Sequence, residues 1–332
     1  MVALLVSVGP HPSAQNPPVP APPAQTATAG DVIGVGNFSH IVRDMDRAVA
    51  FYRDVLGLEM SANVPFSPNP AIMRLGNTPK AQSRMVAFRV PGSDMGVELI
   101  EYKDIERTTQ SPRFVDPGTG NIALRVRDIA PILAKLPKSG AKIITQGDVP
   151  ATINNSKFVF LQDPDGFVVE LAQTPAPPAD PKAPAPGNIY GAAFELTVKD
   201  SQESVTFYKD MLGIDMVLGA EFVDNPLLAR TAGAPGASVR QSRAPIPGTS
   251  TVFTLIEFRN VERRPLSGRV QDPGTAILQL RVRDVDALLK KMKAGGVPVV
   301  TTGGEAVEIR PGLRIVIVRD PNNLMLELMQ SK

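Results

Sequence analysis

Four phrases of this chain occur twice, in the same order and 156 or 157 residues apart. FYRDVLGLEM at 51–60 returns as FYKDMLGIDM at 207–216, VELIEYKDIER at 97–107 as FTLIEFRNVER at 253–263, LRVRDI at 124–129 as LRVRDV at 280–285, and QDPDGFVVELAQ at 162–173 as RDPNNLMLELMQ at 319–330. A period of this length is a duplicated domain and is too long for a solenoid unit. Whatever the chain folds into must therefore be built twice to one plan. With 332 residues, 43% of them hydrophobic and 20% charged, there is material for two cores of the soluble globular kind.

Proline marks where the copies end. Seven prolines lie between Pro10 and Pro23, and six lie in TPAPPADPKAPAPG at 174–187. Such stretches favour extended polyproline conformation and cannot form a core. The reading is a leader at 1–30, a first copy at 31–173, a linker at 174–187 and a second copy at 188–330. In the leader, VALLVSV at 2–8 followed by small residues at 12–15 is signal-peptide-like but too short to span a membrane, so an exported location is expected, with a cytoplasmic tail as the alternative. A net charge of +2 without a basic run argues against nucleic acid as a partner. The absence of cysteine removes disulfides, thiolate metal sites and a cysteine nucleophile together.

Each copy is itself divided. NFSHIV at 37–42 reads as a strand, and Asp44 as the N-cap of a helix that carries Met45, Val49, Tyr52 and Val55 on one side and stops at Gly57. Strands at 85–90 and 96–102 flank a PGSD turn. The second half repeats the order, with a strand at 121–126, Asp128 as cap, a helix to about Leu136, Gly140 as stop, and strands at 141–145, 157–162 and 167–172. VRD opens both halves, at 42–44 and 126–128. The fold class is α+β, four tandem βαβββ units in two pairs.

The phrases DMDRAVAFYRDVLGLEM, GTGNIALRVRD and QDPDGFVVEL, with their partners DSQESVTFYKDMLGI, GTAILQLRVRD and RDPNNLMLEL, resemble the vicinal oxygen chelate superfamily. That superfamily includes glyoxalase I, bleomycin-resistance proteins, methylmalonyl-CoA epimerases and extradiol dioxygenases. The resemblance implies two glyoxalase-like modules, each a curled sheet whose concave face holds a small molecule and up to four ligands to a metal ion. One ligand comes from the first strand and one from the last strand of each half. By position the first module offers Asn37, Glu98, Asn121 and Glu170, with Glu98 and Glu170 also the candidate acid/base residues. The second offers Ala193, Thr254, Ile277 and Glu327 and looks degenerate. The modules are expected to pair within the chain or in a homodimer.

Glu98 and Glu170 stand in apolar strands, where a buried carboxylate costs several kcal/mol unless it is paired, protonated or metal-bound. Three readings follow: an all-oxygen site for Mg, Mn or Ca, a metal-free pair in which one pKa is raised to make a general base, or inherited residues without a role. Two functions correspond to these. One is a lyase or isomerase acting on a small oxygenated substrate; the other is a metal-free binding protein of the bleomycin-resistance type. The only histidines are His11 and His40, and alternation turns His40 away from the Asn37 face, which disfavours a dioxygenase iron site or a zinc site. Arg74 and Arg84, which recur as Arg230 and Arg240, are candidate substrate contacts at the rim. Glu101 and Glu257 should lie on the sheet face opposite Glu98 and be ion-paired, and Tyr52 and Tyr208 should be core aromatics with the hydroxyl at the rim.

Overall fold

The computed structural model describes residues 31–175 and 187–332; the leader, with its expected export signal, and most of the linker lie outside the described residues. The first unit runs β1 (Val32–Ile41), α1 (Met45–Ala50) continued by a π-helical turn at Phe51–Val55, β2 (Glu59–Ser67), α2 (Pro70–Gly76), β3 (Gln82–Arg89) and β4 (Gly96–Lys103). The second runs β5 (Gly120–Val126), α3 (Ala130–Leu133), β6 (Lys142–Ile143), β7 (Ala151–Ile153), β8 (Ser156–Gln162) and β9 (Val168–Gln173). The third has β10 (Ile189–Thr197), α4 (Ser201–Leu212), α5 (Pro226–Thr231), β11 (Ser238–Pro245) and β12 (Val252–Arg259). The fourth has β13 (Ala276–Val282), α6 (Val285–Ala294), β14 (Val307–Arg310), β15 (Leu313–Arg319) and β16 (Met325–Ser331). Among the described residues no helix is long and apolar enough to cross a membrane.

Local chemistry explains the helix ends. Asp44, Asp200 and Asp284 each accept a hydrogen bond from a backbone N–H of the first turn, the reason aspartate is favoured at that position. Gly57 and Gly213 stop their helices at φ of 77° and 70°. In the second unit the helix does not reach Leu136. Asp128 still accepts from the Ala130 N–H, but α3 ends at Leu133 and gives way to a 3-10 turn at Leu136–Lys138, because Pro137 can supply no helical N–H there.

The strands form two sheets of eight, and neither sheet is made from one copy of the repeat. The first has the order β14-β15-β16-β13-β1-β4-β3-β2, joining the first unit to the last; here it is termed the terminal sheet. The second has the order β11-β12-β10-β5-β9-β8-β6, with β7 on β8, joining the two middle units into a central sheet. Each junction is antiparallel, β1 on β13 with Ser39 opposite Ile277 and β5 on β10 with Asn121 opposite Glu195. The pairing is thus intramolecular and crosses between the copies. Alternate residues of every strand serve different layers. Phe38, Leu99, Leu124, Phe194, Leu280 and Leu328 enter one large core with α1, α4 and α6, where Phe38 meets Phe194 at 4.8 Å between ring centroids. The alternate positions face outward onto the two curled surfaces.

Two connections, 104–119 and 260–275, carry the chain between the sheets and bind each other with pseudo-twofold symmetry. Thr108 N–H donates to Asp272 and Arg264 N–H donates to Asp116; Gln110 N–H donates to the Pro273 carbonyl and Leu266 N–H to that of Pro117. Arg269 reaches the Glu106 carbonyl, and Arg113 that of Glu262.

His40 lies on the core side, as alternation requires. Its ring stacks on Phe167 at 3.8 Å, its Nδ1 is 2.7 Å from the Tyr52 hydroxyl, and burial pushes its pKa down to about 3, so it is held neutral. Tyr52 is fully buried and donates to Asp163, so its hydroxyl lies in the core and not at the rim; Tyr208 does the same with Asp320. Tyr52→Phe removes two contacts where Tyr208→Phe removes one. The first is therefore expected to cost roughly 1–3 kcal/mol in urea unfolding and to exceed the second. Equal losses would show that the His40 contact contributes nothing.

Candidate functional site

The candidate carboxylates of the sequence are divided between the two curled faces. Glu98 stands on β4 of the terminal sheet, whereas Asn121 and Glu170 stand on β5 and β9 of the central sheet, so Glu98 and Glu170 cannot act on one ligand. The expectation that Asn37, Glu98, Asn121 and Glu170 converge is corrected by the exchange of units. What Glu98 meets is the last unit. Register places Gln279 beside Glu327 across β13 and β16, and Glu98 beside Ser39 across β4 and β1.

On the terminal face, Glu98 Oε1 accepts from the Ser39 hydroxyl at 2.8 Å and from Gln279 Nε2 at 3.1 Å, while Gln279 Oε1 accepts the Asn37 N–H at 2.9 Å. This close approach of β1 to β13 requires Gly36, since a Cβ there would lie 2.7 Å from Met329 Cε and 2.8 Å from Gln279 Oε1. Burial raises the Glu98 pKa, and the donors Ser39, Asn37 and Gln279 pull it back. Glu327 is pushed up to about 8, first by burial and then by the charge of Glu98. Burial, then the charges of Glu327 and Glu98, also raises the Tyr102 hydroxyl. Glu98 and Glu327 are both buried, keeping 8% and 7% of their surface. Leu75 from α2, with Val270, Ile277, Ile317 and Met325, makes the apolar wall.

The central face is closed. Asn121 Nδ2 donates to Glu195 at 2.9 Å, and the Glu170 carboxylate and Asn121 Oδ1 have no partner among the described residues. Burial and then the charge of Glu195 hold Glu170 well above the usual carboxylate range. Phe114, Phe160, Leu228, Val239 and Phe258 fill the surroundings and leave about 10 Å³, room for roughly one water.

Arg84 does not line the terminal face. It shares a register position with Glu101, pairs with its carboxylate at 2.6 Å, and so faces α1, on the opposite side of the sheet from Glu98. Arg240 and Glu257 form the matching pair at 2.6 Å, which bears out the ion pairing expected for both glutamates. Arg74, on α2, is exposed. Gln279, Ser39, Tyr102 and Glu195 were not apparent as site residues from the sequence. Ser39 and Gln279 each lie two residues beyond a first-strand position and so share its face, which is the signal that could have found them.

The position opposite Ser39 is Ile277, the Gln279 oxygen is taken by Asn37 N–H, and its Nε2 points a donor at Glu98. Among the described residues no three His, Asp or Glu side chains gather. The face thus offers the divalent ion that the resemblance implies two carboxylates, Glu98 and Glu327, beside the oxygens of Ser39 and Gln279.

With this geometry in view, the family model described as "Glyoxalase/Bleomycin resistance protein/Dioxygenase superfamily" matches residues 34–171 and again 192–328. A lactoylglutathione lyase of Arabidopsis thaliana is 24% identical over 204 residues, 60% of this chain and 61% of that protein. A 2-epi-5-epi-valiolone epimerase of an Actinomyces species is 28% identical over 152 residues, 43% of this chain and 81% of the relative. Among solved structures, glyoxalase I of Zea mays superposes with a TM-score of 0.58 at 19% identity, covering 90% of this chain and 92% of that one, a likeness of fold.

Proposed function

Since the chain belongs to the glyoxalase/bleomycin resistance protein/dioxygenase superfamily, we propose that it is a glyoxalase-like lyase or isomerase that moves a proton on a small oxygenated substrate at the terminal face. The observation that carries this reading is the meeting of two buried carboxyls on one face, Glu98 from the first unit and Glu327 from the last. Their surroundings divide the labour. Glu98, held by Ser39 and Gln279, is the better stabilised anion and acts as base; Glu327, without a hydrogen-bond donor among the described residues, keeps its proton to about pH 8 and acts as acid. Glu98 takes a proton from a carbon next to a carbonyl, the C–H electron pair becomes the C=C bond of an enediol, and Glu327 protonates the carbonyl oxygen. Return of a proton to the neighbouring carbon, or to the other face of the first, while Glu327 takes back a hydroxyl proton and the C=O bond re-forms, completes an isomerisation or epimerisation with no oxidant or reductant. The names of two relatives, a lyase and an epimerase, support a reaction of this class.

The full chain, purified without a metal-affinity column, is incubated in D2O with lactoylglutathione or with 2-epi-5-epi-valiolone, and exchange next to the carbonyl is followed by NMR. Exchange with one of them is expected, lost in Glu98→Gln and Glu327→Gln and retained in Glu170→Gln. Exchange that survives both terminal-face substitutions, or no exchange with either compound, would overturn the proposal.

A further inference from the structure

We propose a second binding site, for a small organic carboxylate, in a cleft of about 410 Å³ between the end of the first-unit helix, α3 and the start of β10. It is independent of the chemistry at Glu98. The floor is apolar, with Val55, Leu56, Ile132 and Ile189, and two cations, Arg127 and Lys135, line it. The volume lies in the range of small-molecule sites.

The pseudo-twofold copy shows what is unusual here. Offset by 156 residues, Lys135 corresponds to Lys291, Gly187 to Asp31, and Val55 to Met211. In that copy Lys291 is paired with Asp31 at 2.9 Å, the longer Met211 packs against Gly295, and α6 covers the region with ten residues. In the cleft copy each closing feature is missing. Gly187 brings no carboxylate, valine replaces methionine, and α3 has only four residues.

Among the described residues neither cation forms a salt bridge, although the charge of Lys135 reaches the Asp54 carboxylate. Lys135 Nζ donates only to the Asp54 carbonyl, and Arg127 stacks on Tyr190 and gives its Nε to the Gly187 carbonyl. The neighbouring acids are engaged, Asp54 with Arg53 at 2.7 Å and Asp128 with the Ala130 N–H. Two positive groups over an apolar floor are complementary to a single carboxylate on a compact apolar body.

Benzoate is the probe and benzamide its uncharged control, titrated into the full chain while the methyl signals of Val55, Ile132 and Ile189 are followed by NMR. Saturable shifts are expected with benzoate, at least tenfold weaker with benzamide. The double variant Arg127→Gln/Lys135→Gln and the single variant Gly187→Asp should each weaken benzoate at least tenfold. Gly187→Asp places the acid of the closed copy, and a Cβ at Gly187 meets nothing nearer than the Ile189 carbonyl at 3.9 Å, so the fold should hold. Unchanged melting curves would confirm that. No saturable shift in the unaltered chain, equal binding of benzamide, or undiminished binding in folded variants would overturn the site.

Discussion

Glu327→Gln is expected to lower the rate of proton exchange by on the order of 10²- to 10⁴-fold while making the folded chain more stable above pH 8. Both effects come from one buried carboxyl. In the folded chain Glu327 keeps its proton to about pH 8, whereas an unfolded glutamate loses it near about 4.3. Between those values the folded state binds more protons, so stability falls as pH rises and levels off above about 8. Asp163, raised to about 7 by burial and then by Asp165, adds to the fall over its own range. His40 opposes it. Held neutral down to about pH 3 when folded but taking a proton below about 6.5 when unfolded, it adds stability as pH rises to 6.5 and nothing beyond. The net decline should therefore be clearest between about pH 6.5 and 8. At about 1.4 kcal/mol per pH unit, ionised Glu327 is several kcal/mol worse placed than neutral Glu327, so thermal melts of Glu327→Gln should show a shallower decline and a higher melting temperature at pH 8.5. A variant that is inactive but has the same pH dependence of melting as the parent would show that Glu327 is not the buried acid described.

Asp272→Ala should be among the most destabilising single changes, roughly 3–5 kcal/mol in urea unfolding. Asp272 is 2% exposed and accepts from Thr108 N–H at 2.7 Å, Arg269 N–H at 2.9 Å, and Arg269 Nε and Nη2 at 3.1 and 3.0 Å. Truncation takes the partner from the Thr108 and Arg269 N–H groups and from Arg269 Nε, and leaves Arg269 Nη2 with the Glu106 carbonyl alone, at the point where the chain crosses between sheets. Asp116→Ala should match it, because Asp116 holds Arg113 and the Arg264 N–H in the same way. The two crossings bind each other, so the double variant should lose less than the sum of the singles. Glu262→Ala, which breaks a solvated pair with Arg264, should stay within about 0.5 kcal/mol. A loss below about 1 kcal/mol for Asp272→Ala would mean that the crossing does not fasten the sheets together.

The element order was legible because the repeat states it four times, each with an acid before the helix and apolar alternation in the strands. Side-chain direction was legible as well: period two placed Glu98 opposite in sense to Glu101, and His40 toward the core. Which halves share a sheet was not. The alternation fixes the face a residue serves but not the edge its strand will pair with, and LRVRD at 124–128 and at 280–284 is identical in the two units that compete for the edge of β1 or β10. Proximity in sequence favours the neighbour, whereas the structure joins first to last. From that one point came the misplaced pairing of Glu98 with Glu170 and the neglect of Glu327. Arg84 was misjudged for a simpler reason: its segment read as a loop at the rim, whereas β3 begins at Gln82 and turns the arginine to the α1 side.

The central claim, that Glu98 and Glu327 share one site and Glu170 belongs to another, is tested most directly by following the titration of Glu327 with carbon-13 NMR in the unaltered chain, in Glu98→Gln and in Glu170→Gln. The expected result is a midpoint near 8 that falls when Glu98 loses its charge and stays in place when Glu170 is changed. A midpoint that moves with Glu170, or is indifferent to Glu98, would contradict the account.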